Sequence, residues 1–138
     1  MIRIPKSLPV RLILSAGMLL AAVTASAADT TPAAQLSQWS TAAGKPGDIE
    51  RGKTFYNAKH GKDLSCASCH NSNPMAQGKH SSTGKAIEPL APSANPKAFT
   101  DTAKVNKWFR RNCNDVVGRE CSAQEKADFI AYVMSVKK

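Results

Sequence analysis

Cys66-Ala67-Ser68-Cys69-His70 is the feature that most narrows what this chain can become. Its C-x-x-C-H spacing is that of c-type haem attachment. On one helical turn, thiols three residues apart face the same side and can add to the two vinyl groups of a haem. The adjacent His then lies beneath the ring as the proximal ligand of iron. Two other uses of the pattern are a thioredoxin-like redox pair and half of a zinc site. A redox pair is expected at the head of a helix in a βαβ context, and no segment here alternates as a strand does. Zinc asks for two further ligands at regular spacing.

Composition points the same way. Residues 28–138 contain three Leu, three Ile, five Val and four Phe, about 14% of that stretch. A charged chain below roughly 20% is expected to be disordered. Yet the sequence is punctuated like a small helical domain, so something apolar that is not an amino acid is expected to complete the core. A covalent haem c is such a plate.

Residues 1–27 read as a secretory signal peptide. Arg3, Lys6 and Arg11 form a positive start, Leu12 to Val23 is apolar, and Ala25-Ser26-Ala27 offers small residues for cleavage. An uncleaved anchor is the other reading, but an apolar run of 12 residues falls short of the ~20 that span a bilayer. The expected organisation is therefore a signal peptide over 1–27 and one monohaem domain over 28–138, located in the periplasm, with no membrane span once cleaved.

The domain reads as all-α. Thr31-Pro32 places a cap before a proline at the first helical position, and Gly44 stops that helix, with Leu36 and Trp39 on one face. Asp48 caps a second helix to about Lys59. Gly52 inside it costs about 1 kcal/mol against Ala, which a close helix crossing or a tolerated surface position would explain. From Asn71 to Pro96 the chain is irregular, with Pro74, Pro89, Pro92 and Pro96. A third helix is expected from about Thr100 or Asp101 to Arg111, bearing Val105, Trp108 and Phe109. Ser122-Ala123-Gln124-Glu125 is a capping box that opens a last helix with Ala127, Ile130, Val133 and Met134 on one apolar face. Cys113 and Cys121 bound a nine-residue segment, expected to be a disulfide in an oxidising compartment. On the chain-entropy account such a loop is worth about 2.6 kcal/mol.

The second axial position of the iron decides between functions. Met there makes a simple electron carrier, but Met75 follows His70 closely and Met134 belongs to a core face. His60 and His80 lie in polar segments and read as surface histidines, with His80 retained as a minor alternative ligand.

Several segments carry a resemblance to a known family. Arg111-Asn112-Cys113-Asn114, Gly118-Arg119, Cys121 and Glu125-Lys126-Ala127-Asp128 are the most telling, joined by Gly84-Lys85, Ile87, Pro89-Leu90-Ala91-Pro92-Ser93-Ala94 and Glu50-Arg51-Gly52. Over Thr31 to Ser135 the chain resembles the sphaeroides haem protein family of oxygen-binding c-type cytochromes. The resemblance implies a class I cytochrome c-like fold and a dihaem cytochrome c as electron donor. It also implies a distal asparagine just before the first disulfide cysteine, which maps onto Asn112. A carboxamide is a weak, hard donor suited to ferric iron. Reduction weakens that bond, so Asn112 could leave and open a site for O2, NO or CO.

Three functions follow: a redox-gated gas-binding cytochrome, a plain electron carrier with stable six-coordinate haem, and a small peroxidase. The last asks for a distal acid–base residue, and no histidine is well placed for it. The chain carries a net charge of +9, and removal of Arg3, Lys6 and Arg11 leaves +6. The lysines are dispersed without an aromatic-basic stripe, which argues against nucleic acid. A positive surface suits an acidic redox partner instead. Arg110, Arg111 and Arg119 are candidates to neutralise haem propionates.

Overall fold

The computed structural model describes residues 28–137; the expected signal peptide and the terminal Lys138 lie outside that range. Four helices frame the fold: α1 (Pro32–Ala43), α2 (Ile49–Asn57), α4 (Thr102–Asn112) and α5 (Ala123–Ser135). Between α2 and α4 lie a single turn, α3 (Ala67–His70), and a two-residue hairpin, β1 (Gly78–Lys79) and β2 (Ala86–Ile87). A π-helical turn, Cys113–Val117, continues α4. The architecture is the all-α one expected. The hairpin was not expected, because strands of two residues are too short for alternation to show. It is antiparallel, with Gly78 opposite Ile87 and Lys79 opposite Ala86.

Each long helix starts where a side chain satisfies a free backbone N–H. Thr31 accepts from the Ala34 amide at 3.1 Å, Asp48 from Arg51 at 2.8 Å and Asp101 from Lys104 at 2.9 Å. Ser122 and Glu125 form the reciprocal capping box at the head of α5. Gly44 ends α1 in the left-handed region at φ 68°. α2 stops at Asn57, two residues before the expected end, where Ala58 turns to extended backbone.

α1 and α2 both pack on α5, whose Ala127, Ile130, Ala131, Tyr132 and Val133 are buried. Tyr56 of α2 joins Tyr132 and Val133 in the core, with Leu90, Phe99 and Phe129 against them. α2 crosses α5 at Gly52. A Cβ there would strike the Asp128 carbonyl and come within 2.8 Å of Tyr132 Cβ, so the crossing, not tolerance, explains the glycine.

Asp128 locks the crossing. It is 5% exposed and accepts from Arg51 Nε and Nη2 at 2.8 and 2.9 Å, from the Asp48 amide at 2.7 Å and from Gln124 at 2.9 Å. Burial alone would raise its carboxyl pKa, but these donors outweigh it and hold the group below its usual range. Elsewhere, buried Gln35 of α1 donates to Thr30 at 3.2 Å and Thr102 at 3.4 Å, tying α1 to the start of α4. Among the described residues no helix is long and apolar enough to cross a membrane.

Two predictions follow from the crossing. Gly52→Ala gains about 1 kcal/mol of helix propensity but forces α2 off α5 against backbone atoms. A net loss of about 1–3 kcal/mol is expected in denaturant unfolding of the haem-loaded protein. Asp128→Asn is expected to lose about 1–3 kcal/mol at neutral pH. Because the Asp128 pKa is depressed in the fold, its stabilisation is complete above the unfolded value of about 3.9 and is lost as pH falls through the lower folded value. The gap between wild type and variant in unfolding free energy should therefore close below about pH 4.

Candidate functional site

Cys66 opens α3 with helical backbone angles (φ −58°, ψ −39°). The amides of Cys69 and His70 both return to the Cys66 carbonyl, at 3.3 and 3.0 Å. Ser65 and Ser68 brace the turn by a reciprocal pair: each amide donates to the other's hydroxyl, at 3.0 and 3.1 Å. Cys66 and Cys69 are unpaired thiols three residues apart, so both face one side of the turn. Burial, with a smaller push from Cys69, drives the Cys66 thiol up to about 12. A reactive redox cysteine is shifted the other way.

His70 ends the same turn. Burial lowers its pKa, keeping the imidazole neutral and its lone pair free. Its Nδ1 is buried and has no hydrogen-bond partner among the described residues. Its carbonyl and that of Asn71 accept from the hydroxyl of fully buried Tyr56, at 3.2 and 2.6 Å. Burial first, then the neighbouring Cys66, raises the Tyr56 phenol and keeps it protonated as a donor. The pin matters because Asn71 sits at φ 67°, ψ 151°, a region almost reserved for glycine. No local sequence signal announces this role of Tyr56.

The irregular segment folds back on this turn. A Cβ on Gly78 would strike the Cys69 carbonyl and come within 2.9 Å of His70 Cα, and the Ser81 amide lies 3.4 Å from Cys69 Sγ. His80 is exposed, and its Nδ1 accepts from the Ser82 and Thr83 amides, both at 3.3 Å. Met75 and Met134 are half-buried. His60 differs from the solvated histidine expected: it is half-buried, its ring stacks 4.8 Å from Phe55, and Nε2 meets the Phe55 carbonyl at 2.9 Å.

The second part of the site lies on α4. Val105 is buried, and Phe109 packs edge-on against Trp39 and Phe129 at 6.1 and 5.5 Å. Asn112, the last residue of α4, continues this face one turn on. It is half-buried, and its carboxamide hydrogen-bonds to no other described side chain or backbone group. Asn114, by contrast, donates to the Arg110 carbonyl at 2.7 Å. After Asn112 the backbone widens into the π-helical turn, closed by the Gly118 amide on the Cys113 carbonyl at 3.1 Å, with Gly118 at φ 82°. Cys113 and Cys121 are joined in a disulfide with Cα atoms 5.6 Å apart, and both are buried. Arg119 is committed to Glu125 by a bidentate pair at 2.8 and 2.7 Å. No hydrogen bond joins α3 to α4 among the described residues.

These residues suit a haem. Two free thiols and a neutral imidazole share one turn, and that imidazole has an orphaned nitrogen. Among the described residues no three His, Cys, Asp or Glu gather as a metal site of another kind.

Comparison with known proteins agrees. Residues 42–133 match the family described as Domain of unknown function (DUF1924). The chain is 46% identical over 111 residues to cytochrome c-type protein SHP of Cereibacter sphaeroides, covering 78% of this chain and 85% of that one. It is 50% identical over 94 residues to cytochrome c'' of Methylophilus methylotrophus, covering 65% of each. A solved structure of oxidised SHP, an oxygen-binding cytochrome c, superposes with a TM-score of 0.73 at 44% identity, over 78% of this chain and 99% of that chain. Oxidised cytochrome c'' superposes at 0.72 and 41% identity, over 78% and 95%; a solution structure of that protein bears on haem-ligand detachment.

Fold and relatives together define a c-type cytochrome with one covalently attached haem c. The chain belongs to the DUF1924 family and to that of the sphaeroides haem protein.

Tyr56→Phe removes the hydroxyl that pins Asn71 while keeping the ring. A loss of about 1 kcal/mol is expected, since the His70 and Asn71 carbonyls lose a part-buried donor. Thermal unfolding of the haem-loaded variant against wild type checks it.

Proposed function

We propose that this chain is an exported cytochrome of the periplasm that takes up one electron and then binds a diatomic gas, O2 or another of its size. Asn112 is the side chain that holds the gas position in the oxidised protein and withdraws on reduction. Haem c would supply an iron that changes by one electron and can take side chains or small gases as ligands. Cys66 and Cys69 provide the two thioether links. His70 would be the proximal ligand, on a turn that Tyr56, Ser65 and Gly78 hold in place.

The observation that carries the reading is the state of Asn112. Among the described residues its carboxamide has no hydrogen-bond partner, it holds the last position of a well-capped helix, and the next residue is anchored by a disulfide. α4 and Cys113 fix its backbone on both sides, so only side-chain rotation and small adjustments of the π-helical turn are needed for it to leave. π-helical turns of this kind are frequent at functional sites. Oxygen binding by SHP and the bearing of a cytochrome c'' structure on haem-ligand detachment support the same reading. The backing of Gly78 and Ser81 against the Cys69–His70 turn, and the two amides already held by His80, weigh against Met75 or His80 as the distal ligand. Electrons are expected from a dihaem cytochrome c or a similar periplasmic donor.

The test is optical. In wild type the oxidised spectrum should be low-spin, and the dithionite-reduced protein under argon should turn high-spin and bind CO rapidly. Asn112→Ala should abolish the oxidised low-spin signature and leave CO binding to the reduced form within about threefold. A reduced protein that stays low-spin and ignores CO, with the variant indistinguishable, would show that this chain is a plain electron carrier.

A further inference from the structure

Gly61 is the only glycine between Asn57, the end of α2, and Cys66. Its φ lies outside the left-handed region, unlike that of Gly44, Gly84 and Gly118, so its backbone does not ask for glycine. A neighbour does. A Cβ on Gly61 would stand 3.1 Å from the Val117 carbonyl oxygen and 3.7 Å from its carbon, and would meet no other described residue beyond its chain neighbours. The first distance is closer than a methyl group rests without pushing its partner. The stretch that leads into the haem-attachment turn thus touches the π-helical turn backbone to backbone.

The loop around Gly61 is tied down. The His60 amide donates to the Leu64 carbonyl at 2.9 Å, and the Asp63 amide to the His60 carbonyl at 2.8 Å. The His60 ring lies on Phe55, and its Nε2 donates to the Phe55 carbonyl at 2.9 Å, which fastens the loop to α2. Any push between the two segments therefore falls on the π-helical turn. A π-helix joins residues five apart, and Val117 is the fifth residue after Asn112. Gly61 bears on the residue that this turn pairs with Asn112.

We propose that Gly61 is a positioning residue for Asn112. Having no side chain, it lets the loop seat on the Val117 carbonyl, and that seat sets where the turn presents the Asn112 carboxamide in the oxidised protein. Added bulk at Gly61 displaces the turn by a few tenths of an ångström. Ligand distances at a metal are held to about 0.2 Å, so a shift of that size weakens the bond. The proposal rests on the reading of Asn112 as the oxidised-state ligand.

The test uses cyanide on the oxidised, haem-loaded protein, because cyanide binds ferric iron only where a side chain vacates it. Gly61→Ala should bind cyanide about tenfold faster than wild type and raise the high-spin share of the oxidised spectrum. Gly61→Val, with a larger group at the same contact, should go further; Gly61→Ala alone decides if that variant does not load haem. The reduced variants should bind CO within about twofold of wild type, because Asn112 has then withdrawn. In an Asn112→Ala background, adding Gly61→Ala should change the cyanide rate by less than about twofold, since a residue acting through Asn112 has nothing left to move. Cyanide rates like those of wild type in the Gly61 variants, with Asn112→Ala fast, would overturn the role of Gly61 and leave that of Asn112 intact. Equal acceleration with and without Asn112, or a parallel loss of CO binding, would overturn it too, since the added bulk would then be disturbing the haem site at large. If Asn112→Ala bound cyanide no faster than wild type, the roles of Asn112 and Gly61 would fall together.

Discussion

α2 lies closer to α5 than two ordinary helices can, and the position of the functional turn descends from that approach. Gly52 removes the side chain that would separate them. Asp128, reaching back from α5, gathers Arg51, the Asp48 amide and Gln124. With the crossing fixed, Tyr56 enters the core one turn further along α2, against Tyr132 at 5.3 Å. Its hydroxyl emerges beneath the His70 and Asn71 carbonyls. The strained backbone of Asn71 is held by a helix that is itself held by a buried carboxylate. Rigid support of this kind suits the role proposed for His70 as a ligand of the haem iron.

Much of this was legible in the residues, and what was not has a physical reason. Caps are local: Thr31, Asp48, Asp101 and Ser122 each act within three residues of themselves, so sequence shows them directly. C-x-x-C-H is local too, since one helical turn contains it. Asp128 and Tyr56 act across 77 and 14 residues, and nothing adjacent in the chain announces them. The hairpin of Gly78–Lys79 with Ala86–Ile87 is shorter than any periodicity. His60 read as a surface residue because its neighbours are polar, yet its partner is the backbone of α2 five residues earlier. Gly52 was ambiguous for the same reason: only the crossing distinguishes a packing glycine from a tolerated one.

Poverty in large aliphatic side chains also takes on a different meaning once the fold is known. Aromatic rings carry much of the core, in a chain of edge and tilted contacts from Trp39 through Phe109 and Phe129 to Tyr56 and Tyr132. Each ring buries far more area than a Val or Ile, so few residues suffice. Such a core is built from large rigid pieces that meet at edges. The covalent haem c adds one more large flat apolar group to it.

α4 shows how one helix face fixes what stands at its end. Its inward residues, Val105 and Phe109, join the aromatic chain and fix the rotation of the helix about its axis. That rotation determines where Asn112 stands, and equally where Trp108 and its cations stand. The two positions cannot be adjusted separately by turning the helix, because one hundred degrees per residue couples them. They part company only at the end of the helix: beyond Asn112 the π-helical turn and the Cys113–Cys121 disulfide set the local backbone. A residue on that junction can move while the body of the helix stays seated.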